Sequence, residues 1–390
     1  MKVCDLTQFY SPVSGGVRRY IEQKVAYIRR HRPDCQHVLV VPGKRTECIG
    51  DDVARVYTIE SPMVSRTSRY RILLKLHLVE EVLEKERPDI IESGDPYQLA
   101  WKAIASGDGL DIPVIGFYHS HFPEAYIRSV AKFFGKTAVS VAEDWAKRYV
   151  KTLYNQFHRT LVPSPNLVSL LQDWGVERVE GIDLGVDDEV FAPSDIPVEG
   201  FRRDHEIPEG ARLLLYVGRL ASEKNVVTLF DAFDILHRQS PGKYHLLVVG
   251  DGTLRSAMLR LKDSTNAVSW MEFCGDPQKL ADVYRSADLF VHPGVQETFG
   301  LVTLESQACG TPVIGIRGSY MDRIIFSNQV HWAAENTPQS LAAAIENKFG
   351  EDLHLTGLQA SHEARTRYSW KSVFGRMFGI YDDVIANYHP

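Results

Sequence analysis

The chain is expected to fold as two doubly wound α/β domains in tandem. Three observations predict this. Short apolar runs alternate with helix-period segments along the whole length, and one stretch near the middle, rich in Pro, Gly and charge, interrupts them. The third is size: 390 residues exceed the length at which a single core usually stops growing. Alternation of this kind predicts parallel sheets with helices on both faces.

In chain order, "MKVCDL", "HVLVVP", "VARVYTI", "PDIIES", "IPVIGFYH" and "RTLVPS" are the expected strands of the first half. Between them, "VRRYIEQKVAYIRR" and "RILLKLHLVEEVLEKE" carry apolar residues at helical spacing. Residues 188–210, "DEVFAPSDIPVEGFRRDHEIPEG", have few periodic apolar positions and form the expected linker. The second half repeats the scheme with "RLLLYVG", "HLLVVG", "VSWMEFCG", "ADLFVHP" and "TPVIGI". "YSWKSVFGRMFGIYDDVIANY" closes the chain as an amphipathic helix. The expected domains are residues 1–195 with the C-terminal helix of about 370–390, and residues 196–369.

A composition of 44% hydrophobic and 24% charged residues is that of a soluble globular protein, and a net charge of −6 gives no general case for nucleic acid. No stretch approaches the roughly 20 apolar residues that span a bilayer, and "MKVCDLTQFY" has no signal-peptide core, so a cytoplasmic location is expected. The five cysteines, Cys4, Cys35, Cys48, Cys274 and Cys309, are scattered and include no Cys-x-x-Cys pair, which argues against a zinc site and a disulfide framework.

Ligands of open α/β folds bind at the carboxyl ends of the strands, and a cleft between two such domains is the natural active site. "LLLYVGRLASEKN" runs from a strand through a glycine to Arg219 and Lys224, two cations suited to a diphosphate. "DLFVHPGVQETFG" leads into a helix expected to start near Phe299 and Gly300 and to stop at Gly310. The N–H groups of Gly300, Leu301 and Val302 at its positive end can receive phosphate oxygens. Glu297 precedes that end and Glu305 lies about one and a half turns inside it. Carboxylates beside a phosphate site repel phosphate, so they are directed at neutral hydroxyls. A nucleotide-sugar has two such sets, which assigns Glu297 to the sugar and Glu305 to the ribose. The bland readings are a capping acid for Glu297 and an exposed helix acid for Glu305.

The spacing of Glu297 and Glu305, the "GRL" and Lys224 segment, the "VVGDG" turn at Gly250 to Gly252 and the N-terminal "SGGVRRY" together resemble the retaining glycosyltransferases of family 4, also described as glycosyl transferases group 1. The resemblance covers nearly the whole chain. It implies the GT-B fold, two Rossmann-like doubly wound domains facing a central cleft, the first binding acceptor and the second the nucleotide-sugar donor. It also implies retaining transfer of a hexose from a UDP- or GDP-linked donor to an acceptor hydroxyl. Gly15 and Gly16 would let the backbone approach the transferred group and the diphosphate. His119 matches the family's active-site histidine near the transferred sugar. His121, two residues on, raises a zinc reading, but no third ligand is evident nearby.

The chemistry expected is electrostatic. Arg219, Lys224 and the helix end stabilise charge growing on the leaving diphosphate, and no residue stands out as a nucleophile. No Asp-x-Asp occurs, so no metal and no other cofactor is expected. The expected catalytic group is His119, Arg219, Lys224 and Glu297. "HSHFPEAY" is similar to segments of transferases acting on lipid-like acceptors, so a lipid, glycan or small-molecule acceptor is expected. Arg66, Arg69, Arg71 and Lys75 in "RTSRYRILLKL", with "KFFGKTAVSVAEDWAKRYVKTLYNQFHR", would suit peripheral contact with an anionic membrane, against the plainer reading of ordinary two-sided helices. The alternative enzyme is a GT-B-like sugar-nucleotide epimerase. A non-catalytic sensor of sugar nucleotides is weaker, and a dehydrogenase would need a G-x-G-x-x-G that neither "SGGVRRY" nor "VVGDGTL" supplies.

Overall fold

A computed structural model describes residues 1–10, 16–64, 71–119, 136–195, 198, 200–295, 297 and 299–389; for 136–139 it describes the backbone alone. Two compact units emerge, Met1–Leu184 with Val373–Pro390, and Gly185–Ser372.

The first unit contains β1 (Lys2–Leu6), α1 (Gly16–His31), β2 (Gln36–Gly43), β3 (Glu47–Gly50), β4 (Ala54–Glu60), α2 (Leu76–Glu86), β5 (Ile90–Ser93), α3 (Gln98–Leu110), β6 (Val114–Phe117), α4 (Lys136–Tyr154), β7 (Arg159–Val162), α5 (Pro165–Asp173) and β8 (Val179–Gly181). Its sheet has the order β3-β4-β2-β1-β5-β6-β7-β8, parallel throughout except for the β3–β4 pair. The order in which successive strands are added reverses between β1 and β5, so the crevice at their carboxyl ends is the sheet's topological switch point.

The second unit runs α6 (Phe201–Asp204), β9 (Arg212–Val217), α7 (Val226–Gln239), β10 (Tyr244–Val249), α8 (Arg255–Thr265), β11 (Val268–Met271), α9 (Pro277–Ser286), β12 (Leu289–Val291), α10 (Leu301–Ala308), β13 (Val313–Ile314), α11 (Pro338–Lys348) and α12 (Leu353–Tyr368). Its five strands are all parallel, in the order β11-β10-β9-β12-β13, with the switch between β9 and β12. Every residue of β10 is buried, as expected of a strand covered on both faces. Ser164, Asp276 and Thr337 cap α5, α9 and α11, each followed by a proline in the first helical turn, where its missing N–H costs no hydrogen bond. The last helix, α13 (Trp370–Ala386), belongs to the first unit from Val373 onward.

The eleven strands expected from apolar runs are present; β3 and β8 went unnoticed. All four residues of β3 are exposed, and β8 is three residues without a buried side chain, so neither has the burial that writes an apolar pattern.

Two boundaries differ from expectation. The helix expected over 71–86 begins only at Leu76, because Leu73 is buried with its N–H bonded to Gln8 Oε1 at 3.1 Å. The division expected at 195/196 falls at Leu184/Gly185. Residues 185–195 belong with the second unit: Val186 pairs by backbone with Tyr368 and Trp370, Phe191 packs on Tyr284, and Arg285 donates to the carbonyls of Val190 and Ala192. Within the expected linker, Phe201 and Ile207 are likewise buried.

Candidate functional site

In the second unit, the loops after β9 and β12 flank the switch point. The loop after β9 contains Gly218 and Arg219, then a 3-10 turn at Ser222–Lys224, and Asn225 in the left-handed region at φ 55° before α7 begins. It is zipped to the loop after β10: Gly218 N–H donates to Val249, Leu220 N–H to Asp251, and Leu254 N–H to Leu220. Glycine is required where the two backbones meet, since a Cβ on Gly250 would lie 2.0 Å from the Gly218 carbonyl oxygen.

Lys224 Nζ lies 2.7 Å from both carboxylate oxygens of Glu297, in a pair whose side chains are 27% and 12% exposed. Arg219, expected to converge with Lys224 on one anion, has its own acid: its guanidinium is 3.6 Å from Glu223 and 69% exposed. Exposed pairs of this kind contribute about 0–1 kcal/mol, so little holds Arg219 from another anion. Asn225 donates to the Pro293 carbonyl at 2.8 Å, fixing the loop that carries Glu297 to the start of α7. Beneath Glu297 the buried His292 lies 3.9 Å away, and burial pushes its imidazole below the ordinary value against the pull of that carboxylate.

Gly300 starts α10 at φ 86°, a left-handed conformation only glycine takes without strain; a Cβ there would also meet Met321 Cε at 2.3 Å. The helix begins at Leu301 and its last residue, Ala308, is followed by Cys309 and Gly310, close to the expected bounds. Glu305 is buried, not exposed as the bland reading had it, and Tyr284 donates to its Oε2 at 3.0 Å. Buried Gln307 secures the same helix to the following loop, donating to Ile324 at 2.7 Å and accepting from the N–H of Phe326. Phe299 is buried, with the Arg323 guanidinium 4.9 Å from its ring centre.

In the first unit, His119 follows β6. Its ring stacks on Phe117 at 4.0 Å and meets Tyr20 of α1 edge-on at 5.0 Å. Burial, with the positive charge of Lys24, lowers its pKa to about 3, so the imidazole is neutral at physiological pH. Gly16 is the first residue of α1, and a Cβ there would meet nothing. Gly15, His121, Arg66 and Arg69 lie outside the described residues. Arg71 and Lys75 precede α2 instead of lying on it, bonded to the Ser61 carbonyl and the Glu60 carboxylate. Among the described residues, no group of His, Cys, Asp or Glu is arranged to hold a metal ion. No helix among them is long and apolar enough to cross a membrane.

Sequence reasoning missed the residues that hold the site: His292, Asn225, Tyr284 and Tyr20. The contacts of Asn225, Tyr284 and Tyr20 join positions 21 to 72 residues apart, which no local pattern records, and His292 meets Glu297 only through the fold of the loop between them. One signal was readable: Asp5 and Glu92 are acids inside otherwise apolar strands, and both are buried.

Residues 14–190 match Glycosyltransferase Family 4, and residues 198–352 match Glycosyl transferases group 1. A GDP-mannose-dependent alpha-(1-6)-phosphatidylinositol dimannoside mannosyltransferase of Mycobacterium tuberculosis is 30% identical, over 88% of this chain and 87% of its own. A GDP-mannose-dependent alpha-mannosyltransferase of Corynebacterium glutamicum is 28% identical, over 99% of this chain and 90% of its own. Sucrose-phosphate synthase from Thermosynechococcus elongatus has the same fold, with a TM-score of 0.76 at 19% identity and 99% of both chains covered. With both units matched in order, the switch-point loops carrying Lys224 and Glu297 and the helix after them carrying Glu305, the chain belongs to the GT-B glycosyltransferases of family 4.

Proposed function

We propose that this glycosyltransferase moves mannose from GDP-mannose to a hydroxyl of a glycolipid or glycan, with retention of anomeric configuration and without a metal. The observation that carries the reading is the Lys224–Glu297 pair on the two loops at the second unit's switch point. The GDP-mannose dependence named for both mannosyltransferase relatives supports the donor. The phosphatidylinositol dimannoside named for one of them supports a glycolipid acceptor.

In this reading the second unit binds donor and the first binds acceptor. Lys224 turns from Glu297 to the diphosphate, joined by Arg219 and the N–H groups of Gly300, Leu301 and Val302. Glu297 takes the sugar hydroxyls. Glu305, oriented by Tyr284, takes the ribose, with Phe299 beneath the helix start. Gly15 and Gly16 give the diphosphate close backbone approach, and neutral His119 faces the transferred sugar. As the bond from the anomeric carbon to the diphosphate oxygen breaks, the acceptor hydroxyl attacks from the same face. Its proton passes to the leaving phosphate, so no enzymic base or nucleophile is needed. Loss of one preorganised donor aimed at a developing charge costs about 10²–10³ in rate. Epimerisation is disfavoured, since it would need an acid–base pair about one sugar carbon and the relatives are named as mannosyltransferases.

Peripheral contact with the cytoplasmic face of a membrane is part of the proposal. Trp145, Trp101 and Tyr97 are 54%, 38% and 42% exposed, Trp145 stacks on Tyr149, and Trp101 donates to the Tyr149 hydroxyl. Aromatic rings with anchored polar ends suit a membrane–water interface.

The test is thermal stabilisation by GDP, UDP and ADP in the presence of a chelator, followed by the anomeric configuration of the product formed from GDP-mannose. Selective stabilisation by GDP and an α-linked product support the proposal. Stabilisation by UDP alone, inversion, or turnover restored only by Mg²⁺ or Mn²⁺ rejects the corresponding part.

A further inference from the structure

Among the described residues, a dense cluster of buried titratable side chains lies in the first unit, beneath the strand ends that carry His119. Asp5 on β1 and Glu92 on β5 are register partners across the switch point. Lys24 of α1 reaches both, with Nζ 2.9 Å from each Asp5 oxygen and 3.1 Å from Glu92 Oε1. His37 Nε2 is 2.9 Å from Asp5 Oδ2. The Tyr20 hydroxyl donates to Glu92 Oε1 at 2.9 Å, and the Tyr381 hydroxyl of α13 donates to Glu92 Oε2. All six side chains are buried.

Buried ion clusters are a weak source of stability, because desolvation offsets their attraction. What this one does by geometry is fix a ring. Tyr20 stands edge-on to Phe117 at 5.2 Å and to His119 at 5.0 Å, while Phe117 lies flat against the imidazole with 6° between their planes. The imidazole is therefore held on one face by Phe117 and at another side by Tyr20, whose rotation is stopped by Glu92.

The geometry points to Tyr20, oriented by Glu92 and through it by Tyr381, as the positioning residue that holds His119 in one orientation for sugar transfer. This rests on the proposed placement of His119 at the transferred sugar. The charged groups around the imidazole are Lys24 from α1 and Asp5 from β1; behind Tyr20 stand Glu92 and Tyr381.

The test combines imidazole nitrogen–proton correlation spectra with GDP release from GDP-mannose, for the wild type, Tyr20→Leu, Tyr20→Phe, Tyr381→Phe and His119→Asn. The last assigns the His119 signals by their disappearance. In Tyr20→Leu, the His119 nitrogens are expected to move toward tautomer-averaged shifts while the other histidines keep theirs. Turnover is expected to fall about ten- to a hundredfold with the donor KM within about twofold, as for a misplaced group rather than lost binding. Tyr20→Phe keeps the ring, so it restores most of the turnover and leaves a smaller shift. Tyr381→Phe moves the same signals through Glu92. Should Tyr20→Leu not fold, the two phenylalanine variants carry the test. Wild-type His119 signals and turnover in the Tyr20 and Tyr381 variants, with His119→Asn inactive, overturn the clamp alone. Full turnover in His119→Asn instead rejects the reading on which it rests.

Discussion

At the scale of single residues, two histidines, one buried and one half-buried, show what packing does to a proton. His245 on β10 is 3% exposed, its Nε2 is 2.8 Å from Ser269 Oγ, and burial lowers its pKa to about 4. An unfolded histidine titrates near ~6.5, so between those values the unfolded chain binds the extra proton. The stability contributed by neutral His245 is complete above that range and declines as pH falls through it, by about 2 kcal/mol at pH 5. His119, lowered to about 3, has the same sign. Urea midpoints of the second unit at pH 7.5 and 5 should therefore differ less in His245→Gln than in the wild type; an unchanged difference would count against the assignment. Gly300 is a second case: at φ 86° and 2.3 Å from Met321 Cε, Gly300→Ala should destabilise by about 1–3 kcal/mol, read as a lower melting temperature.

At the scale of elements, the loops after β9 and β10 pack together because glycines let their backbones touch. A Cβ on Gly252 would lie 2.4 Å from the Leu220 carbonyl oxygen, where a backbone has no rotamer with which to give way. Gly252→Ala is expected to part the loops after β9 and β10 and to weaken GDP binding at least about tenfold, since a displacement near 1 Å carries such a penalty. Calorimetric titration with GDP would measure it, and wild-type affinity would show that the zipper does not position Arg219 and Lys224. The strands of these loops were legible because both faces are covered and apolar runs result. The helix at α10 was legible from its glycine start and Gly310 stop. Its burial was not: Thr303, Glu305, Ser306 and Gln307 are all buried, and polar residues on a short helix read as solvent-facing until Tyr284 and Ile324 are seen as their partners.

At the scale of the whole molecule, the chain returns to its beginning. Val373, Phe374, Met377, Phe378 and Tyr381 of α13 are buried in the first unit, and Tyr381 reaches Glu92 from 289 residues away. A chain ending at Ser372 is expected to lose the first unit's cooperative melting transition and to keep that of the second. Differential scanning calorimetry distinguishes this from a truncation that leaves both transitions in place.

The sequence by itself determined the fold class, the order of the strands along the chain and the family, because parallel strands buried on both faces write continuous apolar runs and glycine-dependent turns leave fixed spacings. Lys224, Glu297 and Glu305 follow from such spacings, and His119 from the family resemblance. Only the tertiary structure decided which side chains meet: that Lys224 pairs with Glu297 while Arg219 turns to Glu223, that Glu305 is buried on Tyr284, and that Asp5, Lys24 and Glu92 share the core under His119. Strand order within a sheet and packing of helices across it are long-range choices, set by how surfaces fit and charges are compensated, and neighbouring residues carry no record of them.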